Sequence, residues 1–223
     1  MPTLRYPCLV LDHDDTIVNS TATLHYPAFN AYMKQVRPDI QMTLNEYYSL
    51  NFDPGVIALF RDICGLSEKE MKEEENFWRE YVKNRIPPIF PGVKEILHAH
   101  KEKGGLICVV SHSFSQYILR DYAAGGLPRP DLVYGWDMEP SLRKPHPHAL
   151  YEIQKTFDLS LRDMLVVDDL KPGYDMAASA GVPFAAAGWA IDAPDVEAFM
   201  REHCSAYFKT VKEWGDFLGL TPR

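Results

Sequence analysis

An apolar run stops abruptly at a row of polar side chains in Leu9-Val10-Leu11-Asp12-His13-Asp14-Asp15-Thr16. That is the pattern of a buried parallel strand delivering chemistry at its C-terminal end. The same change recurs at Val109-Val110-Ser111 and at Val166-Val167-Asp168-Asp169, and Lys144-Pro145 stands between them in the chain. Neighbouring strands of this kind would gather the carboxylates of Asp12, Asp14, Asp168 and Asp169, the Ser111 hydroxyl and the Lys144 amine at one sheet edge. Such a convergence points to a Mg²⁺-dependent enzyme that acts on phosphate through an aspartate nucleophile.

Working outward, the apolar pattern predicts strands over 8–12, 106–111, 131–134, 164–168, 184–187 and 206–209, with helices over 93–103, 115–124, 148–157 and 172–180. Strand–helix alternation with short connections implies an α/β domain on a mostly parallel sheet. Gly104-Gly105, Gly125-Gly126 and Gly181 fall where these helices should end, as C-terminal caps require. Residues 18–91 break the alternation: they read as helices throughout, at 21–36, 44–50, 56–63 and 68–84. The expected organisation is therefore a core of residues 1–17 and 92–223 with an all-helical lid of residues 18–91. Its connections should lie near 17–20 and 87–92, where Pro87-Pro88 and Pro91-Gly92 interrupt helix.

The 223 residues, 46% hydrophobic and 24% charged, have the composition of an ordinary globular protein. A formal net charge of −8 argues against nucleic-acid or anionic-membrane binding, since both need a basic face. The N-terminal residues carry no apolar leader, and no apolar stretch is long enough to span a bilayer. Cys8, Cys64, Cys108 and Cys204 are widely spaced and form no Cys-x-x-Cys pair. Reduced thiols in a cytoplasmic protein are expected.

In an extended segment, side chains alternate, so Asp12 and Asp14 would point together as the strand leaves the sheet. One carboxylate can attack phosphorus while the other serves the leaving group as acid and then water as base. Two anions meeting an anionic ester repel, so a divalent cation is needed, and Asp168-Asp169 supply further hard oxygen ligands. Ser111 offers a hydroxyl to a phosphoryl oxygen, and Lys144 offsets the surplus of carboxylate.

These residues resemble those of the haloacid dehalogenase-like superfamily, in the branch with a helical cap inserted after the first motif. The resemblance rests on Asp12-x-Asp14-x-Thr16, Ser111, Lys144-Pro145 and Asp168-Asp169 in order, with Phe90-Pro91-Gly92-Val93 and Asp175-Met176-Ala177-Ala178 beside them. It implies a Rossmann-like three-layer core with a mostly parallel sheet plus an inserted all-helical cap. It further implies Asp12 as nucleophile, Asp14 as general acid/base, and Ser111, His112 and Lys144 around the phosphate. Asp12, Asp168, Asp169 and the Asp14 backbone carbonyl would hold Mg²⁺. Relatives usually carry glycine after the second aspartate, where this chain has Asp15. Aspartate tolerates the left-handed backbone that glycine serves but adds charge. It either turns outward to brace a neighbouring group or faces the phosphate and weakens dianion binding.

Taken alone, an Asp-x-Asp is more often a turn or cap than a catalytic pair; only the four segments together favour catalysis. His98, His100, His146 and His148 read as surface histidines. His112 and Ser113 follow Ser111 into the expected site, and His25 and Tyr26 lie early in the lid, as substrate contacts or plain helix surface. Phe77, Trp78 and Tyr81 read as lid packing, and the charge run over 67–75 as a solvated helix face. The expected function is a phosphatase for a small phosphorylated metabolite, monomeric or dimeric, with Thr16 matching the phosphatase form of the motif. The alternatives are a phosphomutase of the β-phosphoglucomutase kind, with His25 near the place of its lid histidine, or a catalytically silent binding module.

Overall fold

In the computed structural model, which describes residues 4–220, six strands form one parallel sheet: β1 (Cys8–Leu11), β2 (Leu106–Val110), β3 (Leu132–Tyr134), β4 (Met164–Asp168), β5 (Phe184–Ala187) and β6 (Ala206–Phe208). The order is β3-β2-β1-β4-β5-β6 and every pairing is parallel. β1 lies at the centre, where the winding reverses between β2 and β4. Open α/β sheets place ligands outside the strand C-termini at this switch point.

The sheet is buried on both faces because its strands alternate between two apolar sets. Leu9, Leu11, Ile107, Val109, Leu165 and Val167 point to one side. They pack there against α5 (Val93–Glu102), α6 (Ser115–Gly125) and α10 (Val211–Leu218), whose Trp214 is fully buried. Cys8, Val10, Cys108, Val110 and Val166 point to the other, against α7 (His148–Phe157), α8 (Lys171–Ala180) and α9 (Pro194–His203). The helices α9 (Pro194–His203) and α10 (Val211–Leu218) have no counterpart among the sequence-predicted elements. Gly104, Gly126 and Gly181 do occupy positive-φ positions at helix ends.

His100 contradicts its reading as a surface histidine: it is buried on the inner side of α5, its Nε2 3.1 Å from the Leu106 carbonyl. A side chain at Gly105 would collide with the ring, its Cβ lying 2.2 Å from Nε2. The glycine pair therefore serves ring packing as well as helix termination.

Between β1 and α5 the chain is helical. The predicted 21–36 helix is a wide π turn (Thr21–His25) followed by α1 (Tyr26–Val36). Next come α2 (Leu44–Phe52), α3 (Val56–Ala58, running into a π turn over Leu59–Ile63) and α4 (Glu68–Val82). Thr43 and Ser67 start α2 and α4 with reciprocal capping boxes to Glu46 and Glu70. This block has its own apolar centre in Phe29, Tyr32, Met33, Tyr47, Leu59 and Phe60. The other side of α2 rests on the core, with Phe52 against Phe199 at 5.3 Å and Asn45 Nδ2 donating to the Asp192 carbonyl at 2.8 Å.

The two connecting segments run side by side. Val18 bridges Ile89, the Asn19 amide donates to the Pro88 carbonyl at 2.9 Å, and the Phe90 amide donates to Ile17 at 3.1 Å. Arg120 of α6 fastens the end of α4 by donating to the carbonyls of Val82, Lys83 and Arg85 at 2.9, 3.0 and 3.0 Å.

Leu59 is fully buried in the helical block, so Leu59→Ala is expected to lower stability by about 2–4 kcal/mol in urea unfolding. A loss below roughly 1 kcal/mol would mean that the block has no packed centre of its own.

Candidate active site

Three strand ends and one loop meet at the switch point. Asp12 follows β1, its amide donating to the Val167 carbonyl of β4 at 2.9 Å. Asp168 ends β4 and Asp169 follows it. The Lys144 amine, buried in the loop before α7, donates to Asp12 Oδ1 at 2.6 Å and Asp168 Oδ2 at 2.7 Å. The second Asp168 oxygen accepts the Leu170 amide at 2.9 Å as the chain turns into α8. One turn on, Gly173 leaves space for that carboxylate: a Cβ there would lie 2.0 Å from Asp168 Oδ2. Ser111 caps β2, and its buried hydroxyl accepts the Ser113 amide at 3.1 Å.

Asp12, Asp168 and Asp169 each offer an oxygen within 4.8 Å of the others, and all three are buried. Burial pushes the Asp12 carboxyl up to about 7 against the pull of Lys144, and burial with the charges of Asp15 and Asp12 raises Asp169 well above the carboxylate range. A single lysine thus leaves surplus negative charge among hard oxygen donors. These residues fit a hard divalent cation. The Asp14 carboxylate lies outside this group, leaving only its backbone carbonyl for the metal role expected of it.

Asp14 turns instead toward the helical block. Its Oδ1 lies 3.0 Å from His25 Nε2, and Ser113 Oγ donates to its Oδ2. Trp78 Nε1, which can only donate, reaches His25 Nδ1 at 2.9 Å. Nδ1 therefore accepts, and the Nε2 proton is directed at Asp14. Burial alone would raise the Asp14 carboxyl, but His25 and Ser113 outweigh it and hold Asp14 well below the usual range. His25 thus departs from plain helix surface, and Trp78 does more than pack.

Asp15 adopts the left-handed backbone, with φ 55°. It is buried, and Oδ1 accepts the Thr21 amide at 3.0 Å, so it braces the entry to the helical block. His13 and Asp121, unremarked in the sequence, meet at 3.2 Å beneath the loop, and Arg120 Nε donates to Asp121 at 2.7 Å. This joins the aspartate loop to the arginine that fastens α4. Tyr48 of α2 donates its hydroxyl to Asp169 Oδ2 at 3.0 Å, and Thr16 Oγ1 donates to Asp169 Oδ1 at 3.3 Å. The His112 ring is kept neutral by burial and by Lys144, its pKa lowered to about 4. Its Nε2 lies 3.1 Å from the Lys144 carbonyl.

Asp12, Asp14, Asp169, Ser111, Lys144 and His25 open onto a cavity of about 760 Å³ between the sheet edge and the helical block. The charge run is not wholly solvated: Glu68, Lys72, Glu74 and Glu75 line this space, while Lys69 and Glu73 form a solvent-side pair. Nothing local in the sequence marks Tyr48, Trp78 or Glu74 for this position; a helical period shows which face is buried, not what it faces.

A family model described as haloacid dehalogenase-like hydrolase matches residues 9–187. A phosphoglycolate phosphatase of Haemophilus influenzae is 29% identical over 188 residues, covering 79% of this chain and 83% of that protein. Two solved structures share the fold. A haloacid dehalogenase-like protein of unknown function from Agrobacterium tumefaciens has a TM-score of 0.75 at 16% identity, covering 96% of this chain and 98% of that one. CbbY from Rhodobacter sphaeroides, in complex with xylulose-(1,5)-bisphosphate, has a TM-score of 0.71 at 16% identity, covering 97% of this chain and 100% of that one. Because the matched segment runs from β1 through β5 and takes in every strand end just described, the chain belongs to the haloacid dehalogenase-like hydrolase family.

Proposed function

We propose that the protein is a Mg²⁺-dependent phosphatase that hydrolyses a phosphate monoester through an aspartyl-phosphate on Asp12. The reading rests above all on one amine, Lys144 Nζ, bridging Asp12 and Asp168 at 2.6 and 2.7 Å beside Asp169 on a cavity floor. Family membership and the name of the Haemophilus influenzae relative support it.

The free Asp12 oxygen attacks phosphorus in line, while Ser111, the amides after it and Lys144 hold the phosphoryl oxygens. When bound to Asp12, Asp168, Asp169 and the Asp14 carbonyl, Mg²⁺ supplies charge neutralisation between nucleophile and phosphate. Asp14 passes a proton to the leaving oxygen and is left as the carboxylate that the His25 Nε2–H, 3.0 Å away, and the Ser113 hydroxyl stabilise. Asp14, ionised, then removes a proton from the water that cleaves the acyl-phosphate. Residues 18–91 act as a cap over the core of residues 1–17 and 92–223, excluding bulk water during the first step. The four cysteines stand as free thiols, which suits a cytoplasmic setting. The contact of His25 with Asp14 also favours a phosphomutase reading, which requires glucose 6-phosphate rather than free phosphate from β-glucose 1-phosphate.

Phosphate release from p-nitrophenyl phosphate is expected to need Mg²⁺ and to vanish in Asp12→Asn; turnover surviving in either case would defeat the mechanism. Gly173→Ala, which drives a Cβ into Asp168, is expected to lower turnover at least ~10-fold with an unchanged far-UV circular dichroism spectrum. In metal-free protein, Asp12 with a folded-state pKa of about 7 keeps a proton that the unfolded chain, with a pKa near 4, releases. This contribution to metal-free stability is lost as pH rises between those values. Added Mg²⁺, which displaces the proton, should therefore raise Tm more at about pH 8 than at about pH 5.5, as differential scanning fluorimetry would measure.

A further inference from the structure

The walls of the cavity away from the carboxylate floor do not suit a small acidic substrate. At roughly 30 Å³ per water, its volume of about 760 Å³ would hold some 25 waters. A two-carbon alcohol would leave most of that space wet. Much of the surface away from the floor is aromatic or apolar: Phe60, Met71 and Trp78 from the cap, Phe114 and Trp136 from the core. Trp78 and Phe114 lie with ring centres 6.0 Å apart, and the Trp136 ring meets the edge of His112 at 5.4 Å.

Charge on these walls points the same way. The cap side presents Glu68, Glu74 and Glu75 against the exposed Lys72. Glu75 is paired with Arg79 at 2.7 Å, whereas Glu74 makes no hydrogen bond or ion pair among the described residues. Burial, with Glu75 nearby, pushes the Glu74 carboxyl up to about 7 against the opposing pull of His25. On the core side Lys144 is committed to Asp12 and Asp168. Arg143 lies over the Trp136 ring at 4.1 Å, donates Nε to the Met138 carbonyl at 2.9 Å and feels the opposite charge of Glu75. A second anion on the substrate would thus meet Glu74 before any uncommitted buried cation.

We propose that the leaving alcohol is a large aromatic heterocycle, carrying a cation or an N–H donor for Glu74 and no second anion, seated against Trp78, Phe114 and Trp136. This inference rests on the phosphatase reading and departs from what the name of the Haemophilus influenzae relative would suggest. Aromatic faces of Trp take flat rings and cations alike, and a donor satisfies a carboxylate otherwise buried alone.

The test compares kcat/KM of the Mg²⁺-loaded enzyme for pyridoxamine 5′-phosphate and adenosine 5′-monophosphate with that for phosphoglycolate and glycerol 3-phosphate. The heterocyclic esters are expected to exceed the small ones by at least ~30-fold. In Glu74→Gln, KM for pyridoxamine 5′-phosphate should rise about 5–10-fold relative to the variant's own KM for p-nitrophenyl phosphate. If p-nitrophenyl phosphate turns over but neither heterocyclic ester exceeds phosphoglycolate, or if Glu74→Gln leaves that ratio unmoved, the inference falls and the phosphatase reading stands. If no ester releases phosphate, p-nitrophenyl phosphate included, both fall together.

Discussion

Lys144 bridges Asp12 and Asp168 at the ends of adjacent strands, and the geometry of the site turns on that bridge. Two buried carboxylates at the switch point repel each other; a shared amine at 2.6 and 2.7 Å turns the repulsion into a fixed geometry. Removing one partner from such a buried set typically costs about 3–5 kcal/mol, because the remaining charges are left uncompensated. The amine does not neutralise the site fully, since Asp15 and Asp169 are buried there as well. The residual charge suits the cluster to a cation rather than to a closed ion pair.

From this centre the carboxylates reach outward in two directions. Asp169 accepts from Tyr48 of α2, so the packing of α2 on the core completes its hydrogen bonding. Asp14 is joined to the cap through His25 and Trp78, and to the core through Ser113. Asp15 accepts the Thr21 amide and so braces the entry to the helices, while its buried charge adds to the field at Asp169. The aspartate loop is therefore tied both to the strand it leaves and to the helices it enters. Below it, His13, Asp121 and Arg120 carry the connection to the far end of α4.

Much of the core was legible beforehand because the signals were local. A buried parallel strand is a short apolar run, and the polar residue that ends it shows where chemistry emerges; Asp12, Ser111 and Asp168 could each be found in that way. Lys144 was found through its place in the motif order, since a lysine before proline has no distinctive local pattern. The C-terminal helices α9 and α10 are less legible because their stability comes from packing on the two faces of the sheet, as with the fully buried Trp214. The burial of His100 is not legible for a related reason: histidine has no fixed preference for surface or interior, and the glycine opposite its ring makes room for it.

The sequence by itself determined where the strands end and the acidic and hydroxyl groups they carry, because alternation and apolar run length are written within a few residues. Only the tertiary structure decided that Asp14 faces His25, that Asp15 braces the cap, and that Glu74 and Trp78 look into the cavity. Those directions depend on how two segments far apart in the chain pack against each other. A helical repeat records that a face is covered, and it carries no record of what covers it.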